Sequence, residues 1–205
     1  MHPTSIKAII FDLDGVLVDM PRGHYEALNR ALSLFGAKIE KEEHHSHFNG
    51  LPTRKKLEKL EQDGRLPEGL REFINEVKQQ HTKKIIPDYC APDYSKIILL
   101  SELRARGYKL ACCSNSIHET LHLMLKSAGL FDFFDVIIGN DDITNPKPHP
   151  EMYLLAFDRL GIKPTEAIIV EDSPHGIAAG KASGARVLEV RGVEDVHLDL
   201  FKEML

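Results

Sequence analysis

Two aspartates, Asp12 and Asp14, stand on either side of one leucine in the stretch IIFDLDGVLVD, directly after an apolar run. Aspartate and glycine are common where strands stop, so the pair could simply form a turn or cap a helix. The same spacing could also deliver two carboxylates to one reacting centre. One would attack as a nucleophile, and the other would give and take a proton. The rest of the sequence favours the second interpretation.

Polar residues follow three other apolar runs in the same way. Ser114 and Asn115 come after YKLACC, and Glu171 and Asp172 end EAIIVED. Lys147 lies between two prolines in NPKPHP, after the run FDVIIGN. Ligands of open α/β sheets bind beyond the carboxyl ends of the strands. We therefore expect these groups to converge with the paired aspartates at one edge of a sheet.

This set of groups suits phosphoryl transfer. A phosphate ester needs an in-line nucleophile and needs donors or positive charge for its oxygens. Lys147 and the Ser114 hydroxyl can supply the donors. Carboxylates repel a phosphate, but a Mg²⁺ ion held by carboxylate and carbonyl oxygens removes that repulsion. Asp12 could then form an aspartyl-phosphate, while Asp14 protonates the departing alcohol and later activates water.

Five short segments rich in Ile, Val and Leu predict the strands that position these groups: residues 7–11, 108–114, 134–140, 166–172 and 185–190. Their apolar residues run together, which is typical of a parallel sheet buried on both faces. Helical patterns alternate with the later strands, at residues 95–107, 117–129, 150–161 and 173–184. This order predicts an α/β fold with a doubly wound parallel sheet.

Residues 19–90 break this alternation, because they contain helical patterns only. The patterns are amphipathic and rich in charge, which predicts an all-helical cap domain inserted after the first strand. Residues 85–95 contain two prolines and predict the linker that returns the chain to the sheet.

The bulk composition excludes several classes of function. The net charge of -5 lacks the basic footprint of a nucleic-acid binder. We find no segment near the ~20 apolar residues of a membrane span and no apolar stretch long enough for a signal peptide. The three cysteines, Cys90, Cys112 and Cys113, lack the spacing of a disulfide framework and fit reduced thiols. We therefore expect a cytoplasmic globular protein that binds neither nucleic acid nor a membrane.

In order along the chain, FDLDGVLVD, SN at 114–115, KP at 147–148 and ED at 171–172 resemble the four motifs of the haloacid dehalogenase-like (HAD) superfamily. The helical insertion resembles the cap of the subgroup that contains β-phosphoglucomutase and many sugar-phosphate phosphatases. The resemblance implies a Rossmann-like core at 1–18 and 91–205, a helical cap at 19–90, and dependence on Mg²⁺.

By position, the resemblance also implies a role for each motif residue. The implied catalytic set is Asp12 as nucleophile, Asp14 as acid/base, and Ser114 and Lys147 as phosphate binders. Asn115 is expected to contact the substrate. The implied metal ligands are Asp12, Asp14 (through its backbone carbonyl) and Asp172. Glu171 is expected beside the metal or as an occasional ligand.

Three cap residues are further candidates for substrate binding. His24 follows Asp12 by twelve residues, and phosphoglucomutase-like members carry a histidine at the matching position. In FNGLPTRKK, Gly50 and Arg54 resemble the specificity loop of the cap, and Arg54 could bind a phosphate or a carboxylate. The spacing from the glycine to the arginine departs by about one residue from the mutase pattern, which weakens a mutase assignment.

Together these features predict a phosphatase that hydrolyses a small phosphorylated metabolite, with a sugar phosphate as the first candidate, through an aspartyl-phosphate. The alternative is a phosphohexomutase similar to β-phosphoglucomutase, in which the phosphoryl group returns to the sugar. A more remote alternative is a phosphate-binding module without catalysis. We expect the chain to be a monomer or a weak dimer.

One motif points to a different chemistry. HETLH, from His118 to His122, matches the HExxH signature of zinc peptidases, in which two histidines one helical turn apart bind zinc. The stretch does lie on a predicted helix, but that helix directly follows the Ser114–Asn115 loop. Its apolar stripe predicts a helix packed on the sheet. We therefore interpret the two histidines as part of the α/β core and not as a zinc site.

Overall fold

Five parallel strands form the sheet, in the spatial order β3-β2-β1-β4-β5. The computed structural model describes residues 5–48 and 51–202. The strands are β1 (Ala8–Phe11), β2 (Lys109–Cys113), β3 (Val136–Ile138), β4 (Ala167–Glu171) and β5 (Arg186–Glu189). Each lies within its predicted segment, so the predicted parallel α/β sheet is confirmed.

The helices fall into two groups. The first group lies between β1 and β2 and forms the cap: α1 (Pro21–Ser33), α2 (Lys41–Glu43), α3 (Thr53–Gln62) and α4 (Arg71–Tyr89). One turn of π-helix, His44–Phe48, continues α2. The second group alternates with the strands: α5 (Tyr94–Ala105), α6 (His118–Ser127), α7 (Glu151–Leu160) and α8 (Pro174–Ala182). Within the described ranges, we find no helix with the length and apolar character needed to cross a membrane.

Burial on both faces explains why the apolar runs are contiguous. In β1, Ile9 and Phe11 belong to the apolar cluster on one face, whereas Ala8 and Ile10 belong to the cluster on the other. Leucines of α5 and α6 cover the first face, and apolar residues of α7 and α8 cover the second. Helices on both faces make the sheet doubly wound, as predicted.

The cap has an apolar cluster of its own. It includes Leu28 and Leu32 of α1, Leu57 of α3 and Ile74 of α4, all at most 2% exposed. The end of α4 packs elsewhere, because Ile86 belongs to the cluster beneath the sheet that contains Phe11. The domain boundaries predicted at residues 18–19 and 90–91 stay a prediction.

The predicted linker is partly wrong. Residues 85–89 continue α4, even though Pro87 lies among them. A proline lacks one N–H donor, so in the last turn of a helix it removes a single intrahelical hydrogen bond. Burial of Ile86, which is 3% exposed, favours continuing the helix at this point. The chain leaves the helix only at Cys90.

The strand order determines where a site can form. From β1 the chain passes to β2 and β3 on one side, and it returns to β4 on the other side of β1. The carboxyl ends of β1, β2 and β4 therefore lie next to one another, at the point where the strand order reverses. Open α/β sheets bind their ligands at this place.

Candidate active site

Lys147 lies between two carboxylates at this edge of the sheet. Its Nζ donates to Asp12 Oδ1 at 2.6 Å, to Glu171 Oε1 at 2.6 Å and to the backbone carbonyl of Cys113 at 3.0 Å. The lysine is 3% exposed. Burial alone would lower its pKa, but Asp12 and Glu171 raise the pKa of Lys147 well above its usual value. The side chain is therefore an ammonium that fixes the Asp12 carboxylate.

Asp12 follows β1 directly and is itself buried, at 7% exposure. Burial raises the pKa of Asp12 well above its usual value, and Lys147 opposes this rise. Glu171, Asp14 and Asp172 add to the rise through repulsion. This edge of the sheet thus carries more negative charge than Lys147 alone neutralises. A further cation would reduce the repulsion between the carboxylates.

A divalent cation fits beside Asp12 and Asp172. Carboxylate oxygens of Asp12, Glu171 and Asp172 lie within 4.8 Å of one another. Asp172 Oδ1 is buried and has no hydrogen-bond partner among the residues that the structure describes. Burial, followed by repulsion from Glu171, raises the pKa of Asp172 to about 6. A buried carboxylate oxygen without a partner, close to other carboxylates, is a suitable ligand for a hard divalent cation.

Gly15 makes room for this arrangement. Its φ of +89° lies in the left-handed region, which favours glycine. A Cβ atom at this position would also lie only 2.2 Å from Asp172 Oδ2. The glycine of the FDLDG stretch is therefore needed both for the turn after β1 and for the close approach of Asp172.

Two residues that were not predicted from the sequence lie against Glu171. Tyr153 on α7 is fully buried, and its hydroxyl donates to Glu171 Oε1 at 2.6 Å. Gly176 on α8 lies so close that a Cβ there would be 1.8 Å from the same oxygen. A tyrosine on the apolar face of a predicted helix could have indicated the first contact, because a buried hydroxyl needs a partner.

Asp14 accepts hydrogen bonds from both sides of the site. Ser114 Oγ donates to Asp14 Oδ2 at 3.1 Å, and His24 Nε2 lies 2.9 Å from Asp14 Oδ1. Burial alone would raise the pKa of Asp14, but His24 and Ser114 together lower it below its usual value. Asp14 is therefore an ionised carboxylate that links the sheet to the cap.

Lys78 of α4 extends this link. Its Nζ lies 3.3 Å from His24 Nδ1. Because an ammonium can only donate, Nδ1 accepts this bond and Nε2 carries the proton directed at Asp14. Burial and the Lys78 charge lower the pKa of His24, which agrees with a neutral ring. Lys78 was not predicted as a site residue, although it lies in a stripe of buried residues spaced by four: Ile74, Lys78, Thr82 and Ile86.

A cavity of about 670 Å³ lies between the cap and the sheet edge. The predicted site residues that line it are Asp12, Asp14, His24, Arg54, Ser114, Asn115, Lys147 and Asp172. The Arg54 guanidinium lies 3.3 Å from the Glu72 carboxylate, and both side chains are 71% exposed. Gly50 lies outside the described residues. The structure thus brings the four motifs and His24 to one cavity, while the individual roles stay predictions.

The histidines of the HETLH stretch contact each other and the segment after β3. His118 Nδ1 lies 3.1 Å from His122 Nε2, and His118 Nε2 contacts the Asp142 carboxylate. Arg159 also pairs with Asp142, at 3.1 Å. These contacts join α6 to the segment after β3, and Leu121 of the same helix is fully buried, as its apolar stripe predicts.

The sequence profile of the haloacid dehalogenase-like hydrolases matches residues 9–190. The chain belongs to this family. It is 30% identical to the phosphorylated carbohydrates phosphatase of Thermotoga maritima over 179 residues, which cover 87% of this chain and 82% of that protein. It is 32% identical to the phosphoglycolate phosphatase of Aquifex aeolicus over 181 residues, which cover 88% of this chain and 83% of that one.

Among solved structures, the β-phosphoglucomutase of Clostridium difficile superposes with a TM-score of 0.83 at 24% identity. The match covers 97% of this chain and 96% of that chain, and it shows a shared fold. Together with the family match, it confirms the predicted Rossmann-like core with an inserted helical cap. The predicted enzyme class is also confirmed: the chain is a phosphatase of the haloacid dehalogenase-like hydrolase family.

Proposed function

We propose that this haloacid dehalogenase-like hydrolase is a Mg²⁺-dependent phosphatase for a small phosphorylated metabolite, with a sugar phosphate as the first candidate. The observation that carries the proposal is the placement of Asp12. It is buried, held 2.6 Å from Lys147, and it lines a cavity together with Asp14. The Thermotoga maritima relative is named for phosphorylated carbohydrates, and this supports the substrate class.

In the first half-reaction, a carboxylate oxygen of Asp12 attacks the phosphorus atom of the bound ester. The bond from phosphorus to the alcohol oxygen breaks, and an aspartyl-phosphate forms. Asp14 gives a proton to the departing alkoxide. It is ionised before the substrate binds, and the negative charge of the bound ester would raise its pKa, so it takes up this proton from solvent as the complex forms. Its contacts with His24 and Ser114 aim the carboxyl group at the cavity.

In the second half-reaction, Asp14 is the base. It takes a proton from a water molecule, whose oxygen attacks the phosphorus of the aspartyl-phosphate. The bond between phosphorus and the Asp12 oxygen breaks, which releases inorganic phosphate and restores the carboxylate. Asp14 ends the cycle with the proton that it gave up in the first half-reaction, so atoms and charges balance.

Lys147 stabilises negative charge in the reaction, and a bound metal ion would add to this stabilisation. The Lys147 ammonium neutralises charge on Asp12 and on the transferring phosphoryl group. The residues that would hold Mg²⁺ are Asp12, Asp172 and the backbone carbonyl of Asp14. When bound, the ion would neutralise phosphate oxygens and allow two anions to approach one another.

The phosphohexomutase is the second candidate, and two observations favour it. The contact between His24 and Asp14 comes from the cap, and the fold is shared with a β-phosphoglucomutase. Both enzymes would use the same aspartyl-phosphate, and they differ in whether water or a sugar hydroxyl accepts the phosphoryl group. Phosphorus NMR of a reaction with β-glucose 1-phosphate separates them, because hydrolysis gives inorganic phosphate and mutation gives glucose 6-phosphate.

The deciding experiment is a phosphate-release assay on purified protein with Mg²⁺ and a panel of phosphorylated sugars and related metabolites. We expect turnover of at least one sugar phosphate, loss of turnover in Asp12→Asn, and full turnover in the control Asp158→Asn, which changes an exposed aspartate of α7. A panel without any turnover would contradict the proposal and favour a phosphate-binding module. The monomeric or weakly dimeric state and the cytoplasmic location stay predictions.

A further inference from the structure

Tyr153 of α7 carries a buried phenol that has no role in the proposed reaction. The residue is fully buried, and its hydroxyl donates to Glu171 Oε1 at 2.6 Å. The same oxygen accepts a hydrogen bond from Lys147 Nζ, also at 2.6 Å. Because a carboxylate oxygen only accepts hydrogen bonds, the phenol and the ammonium both donate to it. Tyr153 and Lys147 therefore share one acceptor.

Glu171 is held from its other sides as well. Its second oxygen, Oε2, lies 3.2 Å from the backbone nitrogen of Asp172, 3.4 Å from the backbone nitrogen of Ser173 and 3.3 Å from Ser173 Oγ. The backbone of α8 is so close that a Cβ at Gly176 would lie 1.8 Å from Oε1 and 2.2 Å from Oε2. The carboxylate therefore has no room to move when one of its donors is removed, and the remaining donors must respond.

Lys147 has three partners for the three hydrogens of its ammonium. They are Asp12 Oδ1, Glu171 Oε1 and the Cys113 carbonyl, at 2.6, 2.6 and 3.0 Å. To donate to the transferring phosphoryl group, Lys147 must give up one of these bonds. The reaction frees the bond to Asp12, because this side chain loses its negative charge when its oxygen bonds to phosphorus. The strength of the bond to Glu171 then decides how readily Lys147 turns to the phosphoryl group.

The Tyr153 hydroxyl weakens the bond between Glu171 and Lys147. A hydrogen bond between an ammonium and a carboxylate gains its strength from the two charges. Because the phenol attracts part of the negative charge of Oε1, less of it attracts Lys147. The ring itself acts on the same ammonium, since Lys147 Nζ lies 5.0 Å from the centroid of the Tyr153 ring. Residue 153 thus influences Lys147 through its hydroxyl and through its ring.

Other lysines of the cavity are in no position to replace Lys147. In residues 5–48 and 51–202, it is the one lysine whose ammonium lies within 4.0 Å of the Asp12 carboxylate. Lys56 of α3 and Lys78 of α4 also line the cavity, at 8% and 5% exposure. Each of them has a histidine of the cap as its partner, at 3.2 and 3.3 Å. The positive charge beside Asp12 therefore depends on where Lys147 is held.

We propose that Tyr153 is a positioning residue for phosphoryl transfer. By donating to Glu171 Oε1, its hydroxyl keeps the Lys147 ammonium able to turn from Asp12 to the phosphoryl group. Without the hydroxyl, Glu171 would hold Lys147 more tightly, and the transition state would lose part of its stabilisation. This inference rests on the proposed phosphatase function and adds to it a residue of α7 that acts through Glu171 and Lys147.

Tyr153→Phe tests the hydroxyl alone, because phenylalanine keeps the ring beside Lys147. With Mg²⁺ and the most active sugar phosphate of the panel, we expect kcat to fall about 10-fold at unchanged KM, as for one lost hydrogen bond to a charged group. Orthovanadate mimics the five-coordinate phosphorus of the transition state, whereas inorganic phosphate does not. The inhibition constant of orthovanadate should therefore rise about 10-fold, and that of inorganic phosphate should stay the same. An unchanged orthovanadate constant would overturn the proposal.

Phe157→Leu is the matched control. Phe157 lies one turn further along α7, is 3% exposed and has no polar atom in its side chain. Its replacement should lower the melting temperature through lost packing, and it should leave kcat and the orthovanadate constant unchanged. If Phe157→Leu weakened orthovanadate binding as much as Tyr153→Phe does, the effect would come from the packing of α7, and the proposed role of the hydroxyl would be wrong.

A measurement without substrate separates this inference from the proposed function. Side-chain ¹⁵N NMR follows the Lys147 ammonium in the metal-free protein. Its signal should shift in Tyr153→Phe and keep its position in Phe157→Leu. If the signal shifts but no phosphate ester is hydrolysed, Tyr153 positions Lys147 and the phosphatase proposal fails. If Tyr153→Phe hydrolyses esters with the kcat of the unmodified protein and the signal does not shift, the phosphatase stands and this inference fails.

Discussion

His24 Nε2 lies 2.9 Å from Asp14 Oδ1, and this contact joins the cap to the carboxyl edge of the sheet. His24 is near the start of α1, whereas Asp14 follows β1. The acid/base of the proposed reaction is therefore oriented by a residue from the part of the chain that also lines the substrate cavity. Placement of the cap and readiness of Asp14 for proton transfer depend on each other.

Replacing His24 tests this dependence. In His24→Gln we expect kcat to fall about 10- to 100-fold, because Asp14 loses a partner that fixes its orientation, and acid–base catalysis contributes about 100- to 10,000-fold. Steady-state kinetics with saturating Mg²⁺ measure the effect. His197→Gln, at an exposed position, should keep the kcat of the unmodified protein. Equal kcat values in the two variants would show that the contact has no catalytic role.

Removing the buried cation at position 147 should affect both stability and activity. Lys147→Met leaves the Asp12 and Glu171 carboxylates buried side by side, so we expect a loss of about 3–5 kcal/mol in the free energy of unfolding at pH 7. The loss should shrink as pH falls, because burial raises the pKa of Asp12 and its protonation removes the repulsion. Urea denaturation at several pH values measures it. A loss that is the same at pH 5 and pH 7 would contradict this explanation. Lys163→Met is the control, because it removes an exposed lysine.

Gly176→Ala should destabilise the protein. Within a helix this change usually stabilises by about 1 kcal/mol. Here the new methyl group would lie 1.8 Å from Glu171 Oε1, so Glu171 must move and its bond from Tyr153 must break. We expect a loss of about 1–3 kcal/mol, as for overpacking of a core, together with reduced turnover. Thermal denaturation gives the sign of the change, and a gain in stability would rule out the tight contact.

Asp172→Asn tests the proposed metal site. The amide cannot offer a charged oxygen, so the Mg²⁺ concentration for half-maximal activity should rise at least about 10-fold, in the range typical for weakened metal sites. Calorimetric titration with Mg²⁺ measures the affinity without turnover. Without metal, the variant should be as stable as the unmodified protein or more stable, because burial disfavours the Asp172 charge. Unchanged Mg²⁺ affinity would place the ion elsewhere.

Lys56 should make the stability of the protein depend on pH. Folded protein releases the Lys56 proton near pH 7, whereas the unfolded chain keeps it until its usual pKa of 10.5. Between these values the unfolded state binds more protons, so the free energy of unfolding rises with pH. We expect the free energy of unfolding to rise from pH 7 to about 8.5. The range ends there because cysteine thiols titrate from about that pH, and their burial makes the free energy of unfolding change in the opposite direction. Lys78 adds to the rise from about pH 8 upward.

Lys56→Met isolates this effect. The variant should be more stable than the unmodified protein at pH 7, and the difference should shrink toward pH 8.5. Chemical denaturation at fixed ionic strength measures both curves, and Lys59→Met, which removes an exposed lysine of the same helix, should follow the unmodified protein. If the free energy of unfolding depended on pH in the same way in Lys56→Met and in the unmodified protein, burial of Lys56 would not destabilise the folded state.

The polar groups at the strand ends could be predicted from the sequence because two signals coincide there. An apolar run marks the strand, and a change to Asp, Ser, Asn or Lys marks its end. Asp12, Ser114 and Lys147 could be located in this way, and the sheet topology brings them together. Residues that act from helices give no such signal. In the sequence, Tyr153 and Gly176 cannot be told from other helix residues. Only the structure shows that both lie against Glu171.

The cap was harder to interpret for a physical reason. A lysine in a charge-rich amphipathic helix usually lies on the exposed face, and Lys56 and Lys55 are neighbours of the same type. Only the rotation of α3 decides which of them is buried, and that depends on packing with α1 and α4. The predicted linker failed for a related reason, since burial of Ile86 outweighs the single hydrogen bond that Pro87 removes.

The first strand of the chain is the central strand of the sheet, with β2 on one side and β4 on the other. During translation, β1 leaves the ribosome before β4, the neighbouring strand that is followed by Asp172. The nascent protein therefore carries Asp12, the proposed nucleophile, before it has all the residues that are proposed to hold a metal ion. Catalysis should begin only after β4 has been made, and fragments that end before β4 should be inactive.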